Sequence, residues 1–176
     1  MASTLDHEGL SAPSFDEPTK FLIVVAPFYR AIADELLKGA RAAIEAAGAT
    51  HETIEVPGAL EVPTAIRLAS RDDGFDGFVA LGCVIRGETT HYETVCNDSS
   101  RGLTLLGLGG LCIGNGILTV ENEEQARVRA EAAGQDKGGG AAIAAMHLVA
   151  LARRFAKAGR LSGAGFRPAG VQTVDS

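Results

Sequence analysis

Short apolar runs alternate with longer amphipathic stretches along most of the chain. The first run, Phe21-Leu22-Ile23-Val24-Val25, is continuous and is typical of a strand that is buried on both faces of a sheet. Between residues 32 and 44, apolar side chains recur every four positions, and Gly48 follows them. This spacing predicts an amphipathic helix with a glycine stop, directly after the first strand.

The same alternation continues through the rest of the chain. Further strands are predicted at residues 53–56, 78–85 and 112–120, and the last is expected to be interrupted at Gly114-Asn115-Gly116. A helix is predicted after Pro57-Gly58, a long helix after the third strand, and a polar helix from about residue 123 to residue 133. Gly138-Gly139-Gly140 is expected to precede an Ala-rich last helix that ends near Lys157.

The order of these elements predicts the fold class. Strands that alternate with helices form right-handed crossovers, which place helices on both faces of a parallel sheet. We therefore expect an α/β fold, a three-layer αβα sandwich with a four-stranded parallel sheet. The predicted domain spans residues 20–157, between a flexible N-terminal arm (residues 1–19) and a loose C-terminal tail (residues 158–176). The last helix is apolar almost all round, which predicts a homo-oligomer that covers its outer side.

Composition and charge narrow the class of protein further. The 176 residues suit one domain, and 46% hydrophobic with 22% charged residues is a globular composition. The formal net charge of -6 argues against nucleic acid as the main partner. The polar start does not resemble a secretory signal, and no apolar stretch is long enough to span a bilayer. We therefore expect a cytoplasmic protein with no membrane partner.

The cysteines and acidic residues do not show the spacing of a metal site. The chain has three cysteines, Cys83, Cys96 and Cys112, and no C-x-x-C motif. An odd number without that motif indicates neither a disulfide framework nor a zinc knuckle. No P-loop, no G-x-G-x-x-G after the first strand and no G-x-S-x-G motif occurs. We therefore expect no metal ligands in this chain.

The most informative chemistry follows the third predicted strand. Ligands of open parallel sheets bind beyond the carboxyl ends of the strands, and here that position holds Arg86-Gly87-Glu88-Thr89-Thr90-His91. The N–H groups of Glu88 and Thr89 at a helix start are suited to bind a phosphate. The alternative is an ordinary capping turn with Thr89 or Thr90 as N-cap. His91 is a candidate proton donor and acceptor, and the alternative is a surface or capping histidine.

The ends of the other strands and the polar helix offer further candidates, each with a structural alternative. Phe28 follows the first strand and is suited to stack on a planar heterocycle, although a core phenylalanine is the commoner case. The Glu61 carboxylate is suited to accept hydrogen bonds from the N–H groups of a ring. The alternative is a structural carboxylate that is stabilised by the helix dipole. Arg129 and Lys137 are solvated charges, or one of them reaches a phosphate.

Four motifs, in this order, resemble the lumazine synthase family. They are PGALEVP at residues 57–63, LGCVIRGETTHY at residues 81–92, GILTVEN at residues 116–122 with EQA at residues 124–126, and DKG at residues 136–138. The resemblance extends over about residues 21–155, which is nearly all of the predicted domain.

The resemblance implies an activity and a set of site residues. Members of the family condense 5-amino-6-(D-ribitylamino)uracil with 3,4-dihydroxy-2-butanone 4-phosphate, and phosphate and water leave without a metal or an organic cofactor. His91 is then expected to be the catalytic proton shuttle. The expected substrate-binding residues of the same subunit are Phe28, Ala59, Leu60, Glu61, Cys83, Val84, Ile85, Glu88 and Thr89. From the neighbouring subunit, Asn115 should flank the ring, Arg129 should clamp the phosphate and Lys137 should approach the ring carbonyl.

The resemblance also implies a flavodoxin-like fold and a pentamer-based homo-oligomer with active sites between subunits. Riboflavin synthase is a candidate further partner. Two alternatives to the enzyme remain open. Many relatives carry an aromatic residue where this chain has Asn115, which keeps a flavin- or lumazine-binding carrier as one hypothesis. A mainly structural, shell-forming protein is the other.

Overall fold

The computed structural model describes residues 10–161 as one parallel α/β sandwich. Four strands form the sheet in the order β2-β1-β3-β4, and they are β1 (Lys20–Val25), β2 (Thr50–Glu55), β3 (Gly77–Ile85) and β4 (Ile113–Val120). Five helices accompany them, α1 (Arg30–Ala46), α2 (Glu61–Ala69), α3 (His91–Leu108), α4 (Glu123–Ala130) and α5 (Lys137–Leu161). The predicted fold class is confirmed.

The two central strands divide the core into two layers. In β1, Phe21, Ile23 and Val25 point to a cluster formed with α1, α4 and α5. Leu22 and Val24 point to the other face, where they pack against residues of α2 and α3. Because successive side chains of a strand alternate between faces, a continuous apolar run is what a strand with helices on both sides requires.

The predicted interruption of the fourth strand is wrong. Gly114, Asn115 and Gly116 pair with β3 in unbroken register, opposite residues 79–81. A Cβ on Gly114 would overlap the carbonyl oxygen of Ala141 in α5, and one on Gly116 would lie 2.9 Å from the Cβ of Ala141. These glycines therefore allow α5 to lie directly on the strand, and they do not break it.

The expectation that the glycine run at residues 138–140 precedes the last helix is wrong. These residues belong to the first turn of α5. A Cβ on Gly138 would overlap the carbonyl oxygen of Leu36 in α1, so this glycine permits close contact between the two helices. The start of α5 is capped by Asp136, whose carboxylate accepts the N–H of Gly139 at 2.9 Å. The structure also ends α4 at Ala130, before the predicted residue 133, and extends α5 to Leu161, beyond Lys157.

Residues 10–19 of the predicted arm form neither helix nor strand, yet part of this segment contacts the domain. The N–H of Phe15 donates to the carbonyl oxygen of Ala47 at 2.9 Å, and the Phe15 ring packs 6.1 Å from that of Phe21. Thr19 is buried. The arm and tail boundaries stay predictions, because residues 1–9 and 162–176 lie outside the described residues.

Helix α5 has a buried face and an apolar outer face. Its inner residues include Met146, which is fully buried, while Leu148, Leu151 and Phe155 remain between 40% and 64% exposed. The apolar surplus expected from the sequence is therefore present on the outer side of the helix. Among the described residues, no helix combines the length and the apolar character that crossing a membrane demands. The cellular compartment and the oligomeric state stay predictions.

Candidate active site

A cavity of about 450 Å³ lies at the carboxyl edge of the sheet, beside the starts of α2 and α3. This is the position at which open parallel sheets bind ligands. The cavity brings together residues that follow three different strands. Of the predicted site residues, its lining contains Phe28, Ala59, Leu60, Glu61, Cys83, Val84, Ile85, Thr89 and His91.

Phe28 stands at the rim of this cavity and does not belong to the core. Its side chain is 74% exposed, so the alternative of a core phenylalanine is excluded. The ring contacts Tyr29 edge to face, with centroids 5.1 Å apart. An exposed aromatic ring beside a cavity is suited to stack on a flat heterocycle, since aromatic pairs favour offset and edge contacts.

The loop after β2 places a carboxylate at the cavity. The N–H of Glu61 donates to the carbonyl oxygen of Gly58 at 3.2 Å, which closes the turn before α2. Glu61 then occupies the first turn of α2, where the helix dipole favours a negative charge. A Cβ on Gly58 would lie 3.0 Å from a carboxylate oxygen of Glu61. Glycine at this position therefore leaves room for the carboxylate beside the cavity.

The loop between β3 and α3 lacks a strong side-chain cap. Thr90 occupies the N-cap position with helical backbone angles and makes no capping hydrogen bond. The Thr89 hydroxyl accepts the N–H of His91 at 3.4 Å, which is a long contact. Within residues 10–161, no acceptor is found for the N–H groups of Gly87, Glu88 or Thr89. The loop therefore keeps backbone donors available for an anion, which favours the phosphate interpretation over a plain capping turn.

The end of β3 forms the apolar wall of the cavity. Cys83 is 8% exposed, and burial raises the pKa of its thiol to about 11. The thiol is therefore protonated at neutral pH and acts as a small apolar side chain. Val84 and Ile85 continue this wall toward the loop. Among the described residues, no group of three or more His, Cys, Asp or Glu side chains could hold a metal ion.

Sequence reasoning did not single out Arg86, Tyr29 or Tyr92. Both tyrosines line the cavity. Arg86 follows β3 directly, and its guanidinium lies 4.2 Å from the centre of the Tyr92 ring. The signal available in the sequence was their position, because Tyr29 adjoins Phe28 and the other two flank residues 87–91.

Four predicted residues do not line this cavity. Glu88 is exposed on the loop beside it. Asn115 pairs with Ala80, five positions before the end of β4, and so lies ~16 Å below the carboxyl edge at ~3.3 Å per residue. Its side-chain oxygen accepts the N–H of Ile117 at 3.0 Å.

Arg129 and Lys137 lie on the other face of the sheet. Arg129 belongs to α4, where it donates to the carbonyl oxygen of Gln125 at 3.1 Å, and Lys137 is the first residue of α5. Both helices pack with α1, whereas the cavity adjoins α2 and α3. A single chain therefore does not bring these two cations to the cavity.

Comparison with known proteins identifies the family. The family model described as 6,7-dimethyl-8-ribityllumazine synthase matches residues 18–153. A protein of that name from Jannaschia sp. (strain CCS1) is 56% identical over 97% of this chain and 94% of its own length. Others of the same name come from Sphingopyxis alaskensis (59% identical; 76% of this chain, 95% of the relative) and Azorhizobium caulinodans (54%; 89% and 100%). With a match that extends over all four strands, the chain belongs to the 6,7-dimethyl-8-ribityllumazine synthase family.

Proposed function

We propose that this protein catalyses the condensation of 5-amino-6-(D-ribitylamino)uracil with 3,4-dihydroxy-2-butanone 4-phosphate. The product is 6,7-dimethyl-8-(D-ribityl)lumazine, phosphate and water leave, and the reaction is the penultimate step of riboflavin biosynthesis. The observation that carries the proposal is the convergence of residues from three strand ends on one cavity, in a chain of this family. Both substrates are small molecules.

The pyrimidine ring is proposed to bind between Phe28 and the loop that begins α2. The exposed Phe28 ring offers a stacking surface, and the Glu61 carboxylate offers an acceptor for ring N–H groups. Ala59 and Leu60 also line the cavity, together with Cys83, Val84 and Ile85 from the end of β3. Fixing the ring in this way supplies the orientation that the later ring closure needs.

The phosphate of the second substrate is proposed to bind at the loop between β3 and α3. The N–H groups of Glu88 and Thr89, together with the Thr89 hydroxyl, are the donors of this chain. The Glu88 residue is exposed and does not line the cavity, which is consistent with a carboxylate that points away from the anion. Donors that already hold the phosphate also stabilise it as it leaves.

His91 is proposed to move protons during the condensation. Attack of the amine on the ketone gives a carbinolamine, which loses water to form an imine, and both steps need proton transfer. His91 lies in the first turn of α3, adjoins the phosphate loop and lines the cavity. An imidazole is suited to this work because it exchanges protons near neutral pH.

The site is proposed to be completed by a second copy of the chain, in a pentamer-based homo-oligomer. Asn115, Arg129 and Lys137 would come from that neighbour, which fits their distance from the cavity of their own subunit. The exposed apolar residues on the outer side of α5 are surface that such an assembly would cover. A phosphate clamp by Arg129 is consistent with the planar fork of a guanidinium.

A direct assay tests this proposal against the carrier hypothesis. Both substrates are mixed with the protein, and the lumazine chromophore is followed against a protein-free control, since the reaction also proceeds without catalyst. We expect product formation well above that control. If the rate equals the control while the protein binds riboflavin, the enzyme proposal is wrong and the carrier hypothesis replaces it.

A further inference from the structure

The side chain of Arg86 joins three elements around the phosphate loop. Its Nε donates to Glu121, directly after β4, at 2.8 Å, and one terminal nitrogen donates to Glu93, in the first turn of α3, at 2.7 Å. Its guanidinium also lies over the Tyr92 ring. The backbone N–H of Arg86 donates to the carbonyl oxygen of Val120 at 2.9 Å. Both the main chain and the side chain of Arg86 are therefore held in place.

These contacts fix the direction of the guanidinium. The two carboxylates bind N–H groups on separate nitrogens, and the guanidinium carbon lies over the Tyr92 ring. Ion pairs this exposed add little to global stability, because water screens them. Their consequence here is geometric, since they connect the end of β3 and the end of β4 to the start of α3.

The loop that these contacts enclose has few bonds of its own. Residues 87–90 connect Arg86 to α3, and no acceptor is found within the described residues for the N–H groups of Gly87, Glu88 and Thr89. A Cβ on Gly87 would meet no described atom within 4 Å, so packing does not hold the loop at that point. The side-chain contacts of Arg86 therefore connect the residue before the loop to the first turn of α3, which follows it.

We propose that Arg86 is a positioning residue, which holds the loop so that its N–H groups converge on the phosphate of the substrate. The inference rests on the proposed function, because it assigns the loop to that phosphate. Glu93 and Glu121 hold the guanidinium, and Arg86 is not among the residues that line the cavity, so we assign it to the loop and not to direct contact with the phosphate. The planar fork is required, and a lysine cannot replace it.

Four variants test this role by steady-state kinetics with each substrate varied, and by titration of inorganic phosphate followed by phosphorus NMR. Arg86→Gln and Arg86→Lys are each expected to raise KM for the butanone phosphate about tenfold, with a smaller change in kcat and in KM for the pyrimidine. Glu93→Gln replaces a carboxylate acceptor of Arg86 by a neutral amide, which weakens this contact and keeps the Arg86 charge. It is expected to weaken phosphate binding as well.

Arg153→Gln is the matched control. Arg153 also makes an ion pair (to Asp76, 2.9 Å), a hydrogen bond (to Thr19, 2.8 Å) and a contact with an aromatic ring (Phe15, 5.5 Å). It lies at the opposite edge of the sheet, where strands β1 and β3 begin. We expect both KM values of Arg153→Gln to equal those of the wild type.

Three results would overturn the inference. Arg86→Lys with wild-type constants would show that only the charge is needed. Tighter phosphate binding by Glu93→Gln would show that the released guanidinium contacts the anion itself. An equal loss in Arg153→Gln would show general loosening of the fold. A wild type that forms no lumazine would contradict the proposed function instead, while the phosphate titration would still test Arg86.

Discussion

At the scale of single residues, the imidazole of His91 is the group to which we assign proton transfer. The side chain is exposed to the cavity at the start of α3, and no core packing depends on it. His91→Ala is therefore expected to lower kcat by about tenfold or more, because proton transfer is slowed, and to leave assembly unchanged. Steady-state kinetics and size-exclusion chromatography measure the two properties.

His51 provides the control for that substitution. Its ring lies 3.0 Å from Glu45, and the residue sits in the first half of β2, away from the carboxyl edge of the sheet. His51→Ala should leave kcat at the wild-type value. Unchanged kinetics in His91→Ala, or an equal loss in both variants, would remove the proton-transfer assignment.

Cys83 allows a test of the cavity wall through its pH dependence. Because burial raises the pKa of this thiol to about 11, the thiolate fraction should grow about tenfold for each pH unit between pH 8 and pH 10. In a Cys96→Ser, Cys112→Ser background, the alkylation rate of Cys83 by iodoacetamide is expected to follow that rise. A rate that levels off near pH 9 would show an ordinary, solvated thiol.

The residues at strand ends could be predicted from the sequence, whereas their contacts could not. Phe28, Glu61 and His91 follow strands that the apolar pattern already reveals, so their common location at one edge follows from topology. The role of Arg86 depends on Glu121, which is 35 positions away in the chain. No local pattern encodes such a pairing.

At the scale of elements, glycine determines how closely helix α5 approaches its neighbours. Gly138→Ala would place a methyl group against the carbonyl oxygen of Leu36 in α1, and backbone cannot move aside as a flexible side chain does. We expect a loss of about 1–3 kcal/mol in the free energy of unfolding. Urea denaturation, followed by circular dichroism, measures it.

Gly140→Ala is the matched control in the same turn of the helix. A Cβ on Gly140 would meet no described atom within 4 Å, and the residue is exposed. The variant should be neutral or more stable by up to ~1 kcal/mol, since alanine favours helix. Equal destabilisation of both variants would contradict the packing explanation for Gly138.

The same glycines explain where element prediction failed. The sequence pattern predicts a break in β4 at Gly114 and Gly116 and a loop before α5 at residues 138–140. Gly114, Gly116 and Gly138 serve close approach between two elements and not a turn, as the contacts with Ala141 and Leu36 show. The spacing of apolar residues located the strands and helices correctly. This spacing reflects which side chains are buried against the sheet, and that requirement holds along the whole length of each element.

At the scale of the whole molecule, one chain holds only part of the proposed site. Phe28, Glu61, Thr89 and His91 line the cavity, whereas Arg129 and Lys137 lie across the sheet. The central claim is that two copies of the chain complete each other's sites. It predicts that defects in His91 and Arg129 can be repaired by mixing subunits.

Subunit complementation measures this most directly. His91→Ala and Arg129→Ala chains are produced together and compared with each variant alone, at a butanone phosphate concentration below KM. Random mixing in equal amounts gives about a quarter of sites an intact His91 and an intact Arg129 from different subunits, so activity should rise to about a quarter of wild type. Activity no higher than the mean of the two variants would contradict a shared site and place both residues in one chain's cavity.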